Sequence, residues 1–172
     1  MPDAPGLELL RGEIERDRPG AVLATSFDRG QAALIADPEQ VLAVLGWLRD
    51  EPGQGYRFLS SLHVADYLPA DPRFGVHYEL LNRDRVERIR VKAMLASTQD
   101  GSLPAIDSCT ELFPTANFQE REAFDFFGIE FRGHPDLTRI LLPNDYVGWP
   151  QRRDFPVGGE PVTFTYNERN YG

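Results

Sequence analysis

Cysteine occurs once in this 172-residue chain, at Cys109. One thiol excludes an intramolecular disulfide, and it excludes an iron–sulfur or zinc site built from several cysteines of this chain alone. A reducing compartment fits that usage. Lysine also occurs once, at Lys92, and 18 basic residues face 27 acidic ones, for a net charge of -9. With neither a basic surplus nor a block of Lys and Arg, binding of nucleic acid through its phosphates is excluded as a role. Histidine is limited to His63, His77 and His134, dispersed and without HxH or HExxH spacing, so no metal site is expected. No apolar run approaches the roughly twenty residues of a membrane-spanning helix. The opening MPDAPGLELL has neither the basic start nor the apolar stretch of a secretory leader, so a soluble or peripheral protein is expected. There is no GxSxG elbow, and Gly158-Gly159 lacks the flanking strand and helix of a phosphate loop, so binding of NADH by this chain is not expected.

What is present supports one core and a tail. At 172 residues and 41% hydrophobic content, the chain is long enough for one ordinary globular domain. Leu7, Leu10 and Ile14 recur at helical spacing and predict an opening helix over 6–17. Residues 21–25 and 31–36 read as short strands split by a turn at Asp28-Arg29-Gly30. Asp37 then N-caps a helix with Pro38 in its first position, and Val41, Leu42, Val44, Leu45 and Leu48 form its apolar face. Three longer strands are predicted over 56–67, 74–82 and 86–95, the last alternating Ile89, Val91, Ala93 and Leu95 with Arg88, Arg90, Lys92 and Met94. A short helix is expected within 102–116. The resulting fold class is α+β, a small mixed or antiparallel sheet covered by helices on one side, with an extended irregular C-terminal tail. The division is an N-terminal α+β domain over 1–116, then a motif helix plus partner-binding tail over 117–172.

The run 117–156 packs charge, aromatics, Pro and Gly in an order that no generic core needs. Asn117 is placed to N-cap a helix with Glu120 three residues on, as in a capping box, and Gly128 is placed to close it. Phe118, Ala123, Phe124 and Phe127 then form an apolar stripe, leaving Glu120, Arg121, Glu122 and Asp125 on the other side, with Arg121 and Asp125 as an i, i+4 pair. Beyond Gly128, the Pro and Gly residues keep the chain irregular, so residues 134–172 are expected to rely on another protein for their backbone partners.

The chemical candidates are few. Glu120 and Glu122 lie about 200° apart on an ideal helix and cannot aim at one atom. Acids early in a helix complement its dipole, so a structural or interface role is favoured over catalysis. His134, fixed at a turn before Pro135, is expected to hydrogen-bond the motif helix or a neighbouring protein. Arg139, Arg152, Arg153 and Asp154, set among Leu, Trp149, Tyr and Phe, are open to two readings, as partner anchors or as internal braces of the tail. Cys109 reads as a buried small hydrophobe.

EREAFDFFGIEF at 120–131, GHPDLTRILLP at 133–143 and GWPQRRDFP at 148–156, with FLSSLHVADYLP at 58–69 upstream, resemble the C subunit of the proton-translocating NADH:quinone oxidoreductase. That is the NADH dehydrogenase 30 kDa subunit family of respiratory complex I. The chain departs from the family's usual pattern at Thr138, Trp149 and Gln151. The resemblance implies a cofactor-free member of the hydrophilic arm, with flavin and iron–sulfur clusters held by partner subunits. It implies docking beside the homologue of the D subunit, which with the B subunit lines the cavity where quinone binds, and a peripheral place on the cytoplasmic side of the bacterial cell membrane, reached only through the complex. Glu120, Arg121, Glu122, Asp125, Gly128, His134, Pro135, Arg139, Trp149, Arg152, Arg153 and Asp154 are the motif residues expected at the interface, with no catalytic, cofactor or metal residue among them. An equivalent subunit of an energy-converting hydrogenase, or of a ferredoxin- or plastoquinone-linked complex, is the alternative within that wider family. A rival of another class is a free-standing hydrolase using Glu122 and Asp125.

Overall fold

The computed structural model describes residues 2–98 and 100–156. Helix α1 (Ala4–Asp17) is capped by Asp3, whose carboxylate accepts the Gly6 amide at 2.8 Å, and it buries Leu7, Leu10 and Ile14 as the spacing predicts. Strands β1 (Val22–Asp28) and β2 (Gln31–Ala36) form a hairpin turned by Arg29 and Gly30, both at positive φ. Asp37 accepts the Glu39 amide and starts a 3-10 turn, Pro38–Gln40, which leads into α2 (Val41–Asp50). Strands β3 (Phe58–Asp66), β4 (Phe74–Asn82) and β5 (Glu87–Leu95) follow within the predicted spans.

The five strands form a mixed sheet in the order β1-β2-β5-β4-β3, with β2 and β5 parallel and the other neighbours antiparallel. Register sorts the two faces. Leu34, Val91, Tyr78 and Leu62 line up across four strands and are buried with Val44, Leu45 and Leu48 of α2 and the α1 leucines. The next row, Ile35, Lys92, His77 and His63, falls on the other face, because successive residues of a strand alternate sides.

The short helix expected within 102–116 is absent. A strand, β6 (Ala105–Asp107), stands there and pairs in parallel with β7 (Glu130–Arg132), so the backbone groups of this segment are satisfied by pairing instead of by helix. Between them lies α3 (Ala116–Phe127), the motif helix. It runs along β3, the outermost strand: Thr115 Oγ1 donates to Leu59 O, and Gln119 Oε1 accepts the Leu62 amide. A helix so placed covers a sheet edge that would otherwise offer unpaired backbone groups. Ala116, Ala123, Ile129 and Phe131 enter the same core as the sheet.

Candidate functional site

The motif helix does not use the caps that its sequence suggests. Thr115, not Asn117, precedes its first residue, and its hydroxyl is engaged by β3. Glu120 does not close a capping box. It is fully buried, its Oε2 accepting the Ser108 hydroxyl at 2.6 Å and its Oε1 the Cys109 amide at 2.8 Å. Burial pushes the Glu120 carboxyl above its usual pKa, against the pull of those hydrogen bonds and of His134, whose Nε2 lies 4.0 Å away. The Cys109 thiol, buried beside it, is pushed up as well. At the other end Gly128 closes the helix in the left-handed region, as predicted, at φ 65°. A Cβ there would lie 2.5 Å from the Trp149 ring, so this position serves a close approach as well as a turn.

Asp125 is the second buried acid, where the helix periodicity predicts a solvated one. Its Oδ2 accepts three successive amides, Ile140 at 3.1 Å, Leu141 at 2.8 Å and Leu142 at 2.9 Å, while Oδ1 meets Arg139 Nη1 at 2.8 Å. Burial opposes ionisation, but the Leu142 amide, Arg139 and the other two amides outweigh it and hold the pKa below the ordinary value. The expected Arg121–Asp125 pair is therefore not formed. Arg121 donates instead to Thr138 O, Thr138 Oγ1 and Arg139 O. Phe118, expected in the apolar stripe, is 64% exposed. The single-stripe picture fails because α3 is gripped on two sides, by the sheet and by the chain after Gly133.

That chain, expected to rely on another protein, is satisfied from within over 134–156. Arg139 Nη2 donates to Tyr146 O and Gly148 O, and its guanidinium lies 4.6 Å from the Trp149 ring. Trp149 packs edge-on against Phe124, and Arg152 Nε donates to Phe127 O at 2.7 Å, completing the helix C-terminus. His134 takes the first of its two expected roles: Nε2 donates to Asn117 O, and Nδ1 accepts the Asp136 amide. Pro135 sits exposed in that turn, and Glu122 is exposed on α3. Arg153 Nη1 donates to Leu68 O, and Asp154 is held by both Nη atoms of Arg73 at 2.7 and 2.9 Å. Of the two readings of these four residues, the structure places all of them as internal braces. The rest of the tail, 157–172, lies outside the described residues, as does Gly158-Gly159.

Arg73 escaped sequence reasoning. It is buried and also grips Asp66, Nη2 to Oδ2 at 2.6 Å, so it ties the end of β3 to a residue 81 positions away. Asp66 is lowered to about 2 by Arg73 and by the Arg153 and Leu68 amides, against its burial. Only the Asp-Tyr pair at 66–67 hinted that this corner mattered, and nothing local marks Arg73 as its partner.

What the arrangement can do chemically is limited. A groove of about 400 Å³ between β3 and α3 is lined by Ser61, His63, Gln119, Glu122, Phe126 and Gln151, among others. Ser61 Oγ lies 3.2 Å from His63 Nδ1, and His63 stacks on His77 at 4.9 Å. No carboxylate hydrogen-bonds His63 among the described residues, so this pair lacks the third group that orients a base. Glu122 and Asp125 share no site, since one is exposed and the other encased, which removes the hydrolase pair. Among the described residues no cluster of three or more His, Cys, Asp or Glu could hold a metal, and no helix is long and apolar enough to cross a membrane.

The profile of the respiratory-chain NADH dehydrogenase 30 kDa subunit matches residues 34–161. The chain belongs to this family. A relative from Roseiflexus castenholzii, named as the C subunit of NADH-quinone oxidoreductase, is 45% identical over 150 residues, 87% of this chain and 84% of its own length. One of the same name from Herpetosiphon aurantiacus is 45% identical over 141 residues, 82% of this chain and 80% of its own. Among solved structures, Nqo5, as a trypsin-resistant fragment of residues 1–134, superposes with a TM-score of 0.61 at 27% identity, covering 76% of this chain and 98% of the fragment. A chain of the archaeal membrane-bound sulfane sulfur reductase reaches 0.69 at 19% identity, covering 95% and 90%, a likeness of fold alone. The motif that places this chain in the 30 kDa family is thus the segment wound around Glu120, Asp125 and Arg139.

Proposed function

We propose that this chain is a structural component of a proton-translocating NADH–quinone oxidoreductase, the counterpart of its C subunit. It sits in the peripheral arm on the cytoplasmic side of the membrane, beside the homologues of the D and B subunits, and carries no flavin, iron–sulfur cluster or catalytic residue of its own. The observation that carries this reading is the use of the family motif. Its buried acids and all four of its tail braces, Arg139, Arg152, Arg153 and Asp154, hold this chain's own loops in place, and no nucleophile, base and orienting group converge on an open cavity. A domain built this way acts by position. Displacing a neighbouring loop by about 1 Å can slow a reaction on the order of a hundredfold, so such a protein matters to turnover without touching substrate.

Co-purification tests the reading. Tagged chain expressed in its native host is expected to bring down the remaining subunits, flavin and iron–sulfur absorbance included, and to show none of that absorbance and no NADH oxidation when purified alone. A stoichiometric chromophore on the isolated chain, or a stable monomer with no partners in the host, would refute it.

A further inference from the structure

Beside the braces of the motif lies a surface that the fold itself does not use. Leu141 is 62% exposed, Val147 89% and Phe118 64%. Scattered apolar side chains on a surface need no explanation, but these three surround one rigid assembly. Leu141 stands in the middle of the three amides gathered by Asp125, and Val147 lies between the two carbonyls that Arg139 holds. Phe118 lies under Arg121, whose guanidinium is 5.9 Å from its ring and bonded to Thr138 and Arg139. The loop is ordered before any partner arrives, which lowers the entropy cost of docking.

Charge on this face is sorted by sign. Arg121, Arg139 and Arg152 point their donors inward at carbonyls and at Asp125. Glu122, Asp136 and Asp145 are exposed, and their carboxylates enter no ion pair or hydrogen bond among the described residues.

Resting on the function proposed above, we propose that Phe118, Leu141 and Val147, rimmed by Glu122, Asp136 and Asp145, form a preformed docking face for a neighbouring subunit. The occupant that fits is a protein surface with an apolar recess bordered by Arg or Lys, since acids around apolar tips favour cationic partners and repel nucleic acid and anionic lipid. The arginines expected at the interface serve it from beneath, by holding its shape.

The test uses the full chain and the remaining assembly purified from a strain that lacks it. Association is measured for the unaltered chain, for L141D and for the triple variant E122K/D136K/D145K, at low and high salt. Each variant is expected to melt with the unaltered chain, because the altered side chains are exposed, and to associate about tenfold or more weakly. The unaltered chain should weaken as salt rises, and the triple variant should lose that dependence. Association of either variant at the unaltered level overturns the docking face alone. Failure of the unaltered chain to associate overturns the proposed function and this face with it.

Discussion

Replacing Asp125 with Asn is the sharpest perturbation that the motif allows. The two side chains have nearly the same shape, but Asn carries no charge and presents two N–H donors where one carboxylate oxygen now accepts three amides. Arg139, with only 10% of its side chain exposed, loses its ionic partner. Removing one member of a buried ion pair costs about 3–5 kcal/mol, and each amide left unmet adds on the order of 1–3 kcal/mol if it stays buried. Set against a total stability of about 5–15 kcal/mol, that sum exceeds what the loop is worth in place. Relief comes by local opening: residues 137–148 detach into water while the sheet stays folded. Asp125→Asn is therefore expected to lower global stability by about 3 kcal/mol or less, and to cut the hydrogen-exchange protection of the Ile140, Leu141 and Leu142 amides at least a hundredfold. Because the folded pKa of Asp125 lies below its unfolded value, its stabilisation is present above about pH 4 and lost as pH falls through the folded value. The variant should lack that part of the acid dependence. Unchanged protection of the three amides would refute the reasoning.

Three further outcomes follow from the same structure. His77 is 5% exposed and its pKa is pushed down to about 3 by burial, then by His63, Lys92 and Arg90, so the unfolded chain takes the proton first. Stability should be full above about pH 6.5 and fall by roughly 3 kcal/mol by pH 4, a slope that His77→Gln should flatten in denaturant titrations. Arg73→Leu leaves Asp66 buried without its cation, and should cost about 3 kcal/mol, raise the Asp66 pKa from about 2 toward the ordinary range by NMR titration, and speed proteolysis after Arg153. Gly128→Ala must either shift Trp149 or strain the backbone at φ 65°, so a loss of about 1–3 kcal/mol is expected, with Trp149 fluorescence altered; a neutral effect would mean that the Trp149 packing is loose.

The elements of the sheet were legible in the sequence because their signals are local. Alternation over 86–95 reports a half-buried strand by itself, Asp3 and Asp37 announce helix starts within a turn, and Gly128 closes α3 where a left-handed residue is needed. The three motif blocks likewise announced their family by order and spacing alone. What they hold together was not readable. A helix periodicity assumes one apolar side and one wet side, and α3 has protein on both, so Glu120 and Asp125 read as solvated charges and are the most buried groups of the helix. Whether an arginine points at a partner or at its own backbone depends on carbonyls 14 to 25 positions away, as for Arg139 and Arg152, or on an acid 81 positions away, as for Arg73. Such choices are made by the packed chain, because a buried charge stays only where several distant groups converge to satisfy it, and convergence is a property of three dimensions that no run of residues contains.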